Sequence, residues 1–256
     1  QPLVDDGATV CASPAAVAER SDVVFTMVTG TNDVETVVLG ADGVIHGVDE
    51  GTLVIDMSTI DPLATQAMAR ALSERGVEML DAPVSGGPQG AVDAALTIMV
   101  GGTTTALERA RPLFALLGPT VVHMGESGAG QTTKACHQLA LLVTAQGTAE
   151  ALTLAGRCGL DVERVRQVMM AGAASRVLDL FGKRMASRDF SAGIESRLYH
   201  KDLDIALGLA HDRGVALPAA ALTMQFVNAL VGSGRGRDDL SALITLVDKL
   251  GSAPSD

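Results

Sequence analysis

The chain has 256 residues, 47% of them hydrophobic, and a formal net charge of −11 at pH 7, so it can form one large domain or two smaller ones with an ample core. The acidic balance argues against nucleic acid and anionic membranes as partners, because both bind basic surfaces. Three cysteines without metal-ligand spacing, no signal-peptide pattern and no apolar run of transmembrane length lead us to expect a cytoplasmic protein that holds no metal.

Short apolar runs alternate with helical patterns in the first half of the chain. Runs rich in β-branched residues predict buried strands at residues 22–28, 52–56, 77–82, 96–100 and 120–123. Helices are predicted between them, after Ser13-Pro14, at 33–39, from Asp61-Pro62 to about residue 75, and at 103–117. This alternation is typical of a parallel-rich sheet with helices on its faces.

Beyond residue 128 the sequence shows only helical periodicity. Helices are predicted at residues 129–155, 161–171, 175–186, 198–213, 217–232 and 238–249. The change in composition predicts a boundary near Gly125, with an α/β domain at 1–125 and an all-helical domain at 126–256. The first of these helices would join the domains, since at 1.5 Å per residue it is about 40 Å long. Because it is apolar on more than one face, we expect a homodimer or a homotetramer.

Three polar side chains lie near the start of this long helix. Lys134, His137 and Gln138 are spaced i, i+3 and i+4, so they share one helix face. An amine, an imidazole and an amide in one small area can hold a polar substrate and move a proton. The same spacing also occurs on ordinary amphipathic helices with a solvated lysine, and spacing alone leaves both interpretations open.

A second candidate site is the turn at Ser85, Gly86 and Gly87, which follows a predicted strand. Two glycines permit unusual backbone angles and leave amide N–H groups uncovered, and the serine hydroxyl adds another donor. Consecutive exposed N–H groups can bind an anion such as a carboxylate. The alternative is a tight turn that needs glycine for conformational reasons only.

Three stretches of the chain together resemble a known family. They are residues 56–62 (Asp-Met-Ser-Thr-Ile-Asp-Pro), 81–88 (Asp-Ala-Pro-Val-Ser-Gly-Gly-Pro) and 128–134 (Gly-Ala-Gly-Gln-Thr-Thr-Lys). Their order and spacing resemble the β-hydroxyacid dehydrogenases, which include 3-hydroxyisobutyrate, tartronate semialdehyde and threonate dehydrogenases. The resemblance implies a Rossmann-type dinucleotide-binding domain followed by an all-α domain, joined by a long interdomain helix. It also implies NAD or NADP as cofactor and a small carboxylate substrate, a 2- or 3-hydroxy acid.

The resemblance raises an expectation about the start of the chain. Members of this family open with a strand, a G-x-G-x-x-G turn, a helix and a second strand, and this pattern does not occur before the predicted strand at 22–28. We therefore expect the dinucleotide-binding domain to be incomplete at its N-terminus, by roughly 35–40 residues, the size of a βαβ unit.

The resemblance also assigns roles in substrate chemistry. Lys134 matches the family's general acid or base, which exchanges a proton with the substrate oxygen, and a lysine can do so if burial and nearby positive charge lower its pKa. Ser85, Gly86 and Gly87 match the turn that binds the substrate carboxylate.

Five further positions match cofactor-binding residues of the family. Val28 and Thr29 correspond to residues beside the adenosine half of the dinucleotide, whereas Thr59, Lys201 and Asp202 correspond to residues near the nicotinamide. Local sequence alone is equally consistent with a strand-to-helix turn, a helix cap and an exposed helix face at these positions.

One pair departs from most family members. His137 and Gln138 stand where hydroxyisobutyrate-type enzymes have asparagines, and this pair is more similar to threonate dehydrogenases. Two hydrogen-bonding side chains would be costly to leave unpaired, which favours a polyhydroxylated acid such as threonate.

Two other functions remain open: a non-catalytic family member that uses the helical domain for assembly, and an imine-type reductase. The presence of Lys134 argues against both, and the presence of Ser85 also argues against the non-catalytic member.

Overall fold

The structure is a computed structural model that describes residues 2–172, 176–191 and 193–250. The chain forms two compact units, Gln1–Lys134 and Ala135–Asp256. The first is an α/β unit and the second is helical, as the sequence predicts for a Rossmann-type domain followed by an all-α domain.

A six-stranded mixed sheet forms the framework of the first unit. Its strands are β1 (Val23–Thr26), β2 (Leu53–Asp56), β3 (Glu78–Asp81), β4 (Val84–Ser85), β5 (Thr97–Gly101) and β6 (Thr120–Gly125). The order is β1-β2-β3-β5-β4, and β6 also pairs with β5. The pairs β1–β2, β2–β3 and β5–β6 are parallel, whereas β5 is antiparallel to β3 and β4. Five of these strands were predicted; β4 was not.

Helices surround this sheet, and three of them begin at side-chain N-caps. They are α1 (Pro2–Asp5), α2 (Pro14–Ala18), α3 (Thr31–Leu39), α4 (Pro62–Ser73), α5 (Gly87–Val92) and α6 (Thr104–Phe114), with a short 3-10 turn at Val44–His46. Ser13, Asp61 and Thr103 each accept a backbone N–H of the helix that follows. The helix starts predicted at Ser13-Pro14 and Asp61-Pro62 are therefore confirmed, while α5, which begins at Gly87 of the predicted glycine turn, was not predicted.

The central strands bury both of their faces. In β2, Leu53 and Ile55 pack in a cluster with residues of α6, whereas Val54 packs with residues of α3 and α4. All three side chains are completely buried. A continuous apolar run is the pattern expected for a parallel strand covered by helices on both sides.

The second unit is built from helices, with α7 (Ala129–Arg157) entering it from the first. The others are α8 (Val162–Gly172), α9 (Lys183–Ser187), α10 (Ser196–Asp212), α11 (Pro218–Leu230) and α12 (Ile244–Leu250). The helix predicted at 175–186 is divided into a π-turn at Leu178–Gly182 followed by α9, and Ser175 lies outside the described residues. The helix predicted at 238–249 likewise starts as a 3-10 turn at Leu240–Leu243.

Helix α7 supplies much of the core of the helical unit. Leu142, Ala145, Ala149 and Leu152 are buried in one apolar cluster with residues of α10 and α11. The expectation that no run is long and apolar enough to cross a membrane is wrong for α7, whose mean hydropathy reaches 1.2 over 18 residues. That is weak evidence for a membrane, because the core helix of a globular unit has the same composition.

Candidate active site

The carboxyl ends of β1 and β2 are tied together by polar side chains. Thr26 Oγ1 donates to Asp56 Oδ1 at 2.7 Å, and the backbone N–H of Ser58 approaches the same oxygen at 3.3 Å. The Ser58 hydroxyl in turn accepts the N–H of Val28 at 2.9 Å. Because Asp56 is fully buried, these contacts fix the two loops that leave neighbouring parallel strands at the same edge.

Three predicted cofactor-binding residues lie at this edge. Val28 and Thr59 are half-buried and Thr29 is exposed, so one apolar side chain and two hydroxyl-bearing residues line the ends of β1 and β2. Ligands of open α/β sheets bind outside the carboxyl ends of the strands. The residues present therefore fit a dinucleotide, which needs both apolar surface and hydrogen-bonding groups.

The predicted carboxylate-binding turn joins β4 to α5. Ser85 pairs with Thr97 at the start of β5, and the chain then reverses through Gly86 (φ 140°) and Gly87 (φ 66°). A Cβ atom at Gly86 would lie 3.0 Å from Leu96 Cδ2, so there is little space for a side chain at this position. The positive φ of Gly86 is also a backbone angle that favours glycine. All three residues of the turn remain partly accessible.

Asp81, the last residue of β3, holds the first turn of α7. Its Oδ1 accepts the N–H of Gly128 at 2.8 Å and its Oδ2 accepts the N–H of Gln131 at 2.9 Å. The carboxylate is closely surrounded, because a Cβ atom at Gly101 would lie 2.5 Å from Oδ1 and one at Gly130 would lie 2.9 Å from Oδ2. The glycines at 101 and 130 therefore make room for this buried acid.

Burial also changes the acidity of Asp81. Desolvation raises its pKa from 3.8 to about 6, and the hydrogen bonds from Gly128 and Gln131 oppose that rise without cancelling it. The carboxylate is still the predominant form at neutral pH. It therefore places a negative charge at the N-terminus of α7, where the helix dipole favours one.

Gln131 forms a second attachment between α7 and the sheet. Its Nε2 donates to the carbonyl oxygen of Ser58 at 2.8 Å, and its Oε1 accepts the N–H of Ile60 at 3.1 Å. One side-chain amide thus satisfies two buried backbone groups on either side of Thr59. The position of Thr59 is set by the same residue that fixes the helix start.

Lys134 lies one turn beyond Gln131 on α7. Its side chain is only 7% exposed, which is unusual for a lysine. Because the contacts of Asp81 and Gln131 fix the preceding turn, they also fix the position from which Lys134 projects.

Four predicted site residues come together in the helical unit. His137 Nδ1 lies 3.0 Å from Gln138 Oε1, and Gln138 Nε2 donates to Asp202 Oδ2 at 2.5 Å. The other oxygen of Asp202 lies 2.9 Å from Lys201 Nζ. The pair that the sequence assigned to the cofactor is thus in direct contact with the pair assigned to substrate.

Sequence reasoning overlooked the residues that hold the site in place. Asp56, Ser58, Asp81 and Gln131 are all buried polar residues of the three stretches that carry the family resemblance. A polar residue at the end of a continuous apolar strand was the signal available at Asp56 and Asp81, since such a residue is buried only with specific partners. No comparable signal marks Gln131 outside its motif.

Family models match nearly the whole chain. Residues 1–125 match the NAD-binding domain of 6-phosphogluconate dehydrogenase. Residues 128–247 match a model described as "NAD-binding of NADP-dependent 3-hydroxyisobutyrate dehydrogenase".

Individual proteins agree with these matches. The chain is 39% identical to the 2-hydroxy-3-oxopropionate reductase of Escherichia coli, over 96% of this chain and 85% of that protein. It is 35% identical to the 2-(hydroxymethyl)glutarate dehydrogenase of Eubacterium barkeri, over 97% of this chain and 83% of that protein. Among solved structures, a 3-hydroxyisobutyrate dehydrogenase of Mycobacterium tuberculosis with L-serine is similar with a TM-score of 0.86 and 31% identity, covering 97% of this chain and 86% of the other.

Proposed function

Because the chain belongs to the β-hydroxyacid dehydrogenase family and is an NAD(P)-dependent oxidoreductase, we propose that its substrate is a small polyhydroxylated acid such as threonate. The enzyme would interconvert this 2- or 3-hydroxy acid with its keto acid or semialdehyde. The observation that carries the proposal is the buried Lys134 at the start of α7, held on the turn that Asp81 and Gln131 fix.

Lys134 is the general acid or base of this proposal. NAD or NADP, when bound, supplies hydride exchange with the carbon that bears the reacting oxygen. The Nζ atom of Lys134 takes the proton from the alcohol during oxidation and returns it during reduction. A positioned amine suits this task because the alkoxide oxygen must not form as a free anion.

The turn at Ser85, Gly86 and Gly87 is proposed to bind the substrate carboxylate. Support comes from the two consecutive positive-φ glycines, which leave backbone N–H groups uncovered by side chains, and from the accessibility of the turn. The Ser85 hydroxyl supplies an additional donor.

Val28, Thr29 and Thr59 are proposed to contact the dinucleotide, because they line the carboxyl ends of β1 and β2. Lys201 and Asp202 complete the proposed cofactor-binding set, on the family resemblance. In the described structure Asp202 also contacts Gln138, one of the residues proposed to select the substrate, and Lys201 pairs with Asp202.

His137 and Gln138 are proposed to bind hydroxyl groups of the substrate. Both side chains carry hydrogen-bonding atoms, and Gln138 is buried with its amide nitrogen committed to Asp202. A substrate with an apolar group at this position would lose hydrogen bonds that a polyhydroxylated acid can make.

Assembly and location are part of the same proposal. We propose a cytoplasmic homodimer or homotetramer, supported by the three free cysteines and by large exposed apolar side chains on the helical unit, among them Leu154, Val168 and Leu222. Sedimentation analysis of the purified chain tests the oligomeric state, and a monomer at micromolar concentration would contradict it.

Dinucleotide absorbance across a panel of substrates tests the proposed function. Threonate, tartronate semialdehyde, 3-hydroxyisobutyrate and a cyclic imine should each be assayed with NAD and with NADP. We expect the highest kcat/KM for a polyhydroxylated acid and no turnover of the imine. A preference for the imine, or inactivity toward every hydroxy acid, would contradict the proposal.

A further inference from the structure

We infer that Asp202 is a positioning residue which, through Gln138, sets the tautomer of His137 and thereby the hydrogen-bonding character that His137 offers to a substrate hydroxyl. The inference rests on the proposed function for the role of His137 in substrate binding. The tautomer itself is a property of the helical unit and can be measured without any turnover.

The Asp202 carboxylate defines the first step of this chain of contacts. It is 8% exposed and, when ionised, can only accept hydrogen bonds. One of its oxygens lies 2.9 Å from Lys201 Nζ, and the other lies 2.5 Å from the side-chain amide of Gln138. Only the NH2 end of that amide can donate, so Asp202 determines which way the amide faces.

The orientation of the amide then determines the proton position on the imidazole. With Nε2 of Gln138 directed at Asp202, its Oε1 lies 3.0 Å from His137 Nδ1. A carbonyl oxygen is an acceptor only, so Nδ1 of the neutral ring must carry the proton. The second ring nitrogen, Nε2, is therefore the acceptor nitrogen.

This assignment has a consequence for substrate choice. An acceptor Nε2 favours a substrate that directs an O–H group at it, as a polyhydroxylated acid can. A methyl group in the same place, as 3-hydroxyisobutyrate carries, cannot donate and would cost the nitrogen its hydrogen bond. Asp202 would thus affect specificity while contacting Gln138 rather than the substrate.

Nitrogen-15 spectroscopy of the histidine rings tests the first part directly. The chain has five histidines, and His137→Asn identifies the signals of His137 by their loss. At a pH two units above the usual histidine pKa of about 6.5, we expect the wild type to show the Nδ1-protonated tautomer. In Asp202→Asn an amide replaces the acceptor-only group, so Gln138 can reverse and the Nε2-protonated tautomer should increase.

Asp204→Asn is the matched control, because Asp204 lies on the same helix, α10, and is exposed. It makes the same change in charge and should leave the tautomer unaltered. Asp202→Glu keeps an acceptor-only carboxylate and should retain the wild-type tautomer.

If Asp202→Asn does not fold, Gln138→Met removes the acceptor from Nδ1 and should produce the same tautomer change. A wild-type His137 protonated on Nε2, or no change in any of these variants, would overturn the inference.

Kinetics test the second part. We expect Asp202→Asn to lower the ratio of kcat/KM for threonate to that for 3-hydroxyisobutyrate by at least about fivefold, the effect of one unpaired group, while Asp204→Asn leaves the ratio unchanged. A tautomer that shifts while the ratio stays constant would overturn the link to specificity. Inactivity of the wild type toward every hydroxy acid would instead refute the proposed function, and the tautomer measurement would still stand.

Discussion

Two successive turns of α7 are held in different ways. The turn at residues 128–134, which carries Lys134, is fixed through backbone groups: Asp81 accepts two of its amide N–H groups, and Gln131 bonds to the backbone of the loop after β2. The turn at residues 135–138 is fixed through side chains, since Gln138 pairs with Asp202 and with His137. The contacts of the first turn leave little room for substitution of the residues that make them. The contacts of the second turn can be altered by replacing two or three side chains.

This difference separates two requirements of a dehydrogenase. In the proposed function, proton transfer needs a lysine at one fixed position, and a rigid attachment to the sheet would provide it. The proposed substrate choice needs groups that can be exchanged without altering the fold, and a side-chain network would allow that. Substitutions in each turn test the two attachments separately.

Gly130→Ala should have the largest effect. The added Cβ atom would lie 2.4 Å from Met99 O and 2.7 Å from Asp81 O, so backbone would have to move. We expect a loss of several kcal/mol in the free energy of unfolding, at least about 3, or an insoluble protein. Gly147→Ala is the control on the same helix: nothing lies within 4 Å of its Cβ position, and alanine there should stabilise by up to about 1 kcal/mol. Equal urea midpoints for the two variants would contradict this account.

Gln131→Ala should have the next largest effect. It leaves the carbonyl of Ser58 and the N–H of Ile60 buried without their partner, and each unpaired group should lower the free energy of unfolding by about 1–3 kcal/mol. We also expect kcat to fall, because both Thr59 and the turn before Lys134 lose an attachment. Gln167→Ala, at an exposed position of α8, is the control. A variant with wild-type stability and turnover would show that the amide bridge is unimportant.

Asp81→Asn should change how stability depends on pH. The pKa of Asp81 is raised in the folded state, to about 6, so folding favours its protonated form. The contribution of Asp81 to the free energy of unfolding is therefore fully present below about pH 4 and is lost as the pH rises through about 6. Relative to the wild type, the variant should gain up to about 3 kcal/mol in unfolding free energy between pH 4 and pH 7. Parallel stability curves over this range would refute the assigned pKa.

His137→Asn should have the smallest effect on the protein and act mainly on specificity. The ratio of kcat/KM for threonate to that for 3-hydroxyisobutyrate should change by a factor that corresponds to about 1–3 kcal/mol. Stability should change little, because the residue belongs to the side-chain network rather than to the core. Measurement of the ratio over a range of pH separates this role from an electrostatic one. An electrostatic partner of Lys134 would shift both pH profiles alike and leave the ratio constant.

The sequence predicted the parts of the fold that depend on local patterns. The β-branched runs identified the buried strands, and Asp61 before a proline identified the start of α4. It did not predict β4, which has only two residues and exists because Val84 and Ser85 pair with β5. The interruption of the helix predicted at 175–186 was also missed, since apolar periodicity does not distinguish a π-turn from an α-helix.

For the candidate site, the motifs identified residues but not their partners. Lys134 could be singled out from its motif, whereas the contact between Gln138 and Asp202 joins residues 64 positions apart on two helices. Long-range side-chain pairs of this kind follow from tertiary packing, which one sequence does not reveal. Gly101 and Gly130 likewise could not be singled out from the sequence. Their role of leaving space for the Asp81 carboxylate is visible only in the folded structure, where the three residues lie together.

We propose that Lys134 carries the proton, and its replacement by alanine is the decisive experiment. With saturating dinucleotide and the best acid of the panel, Lys134→Ala should lower kcat by at least about 100-fold, the low end of general acid–base effects, while Lys249→Ala, an exposed lysine of α12, should not change it. Small amines added to Lys134→Ala should restore part of the rate. Near-normal turnover of Lys134→Ala would contradict the account.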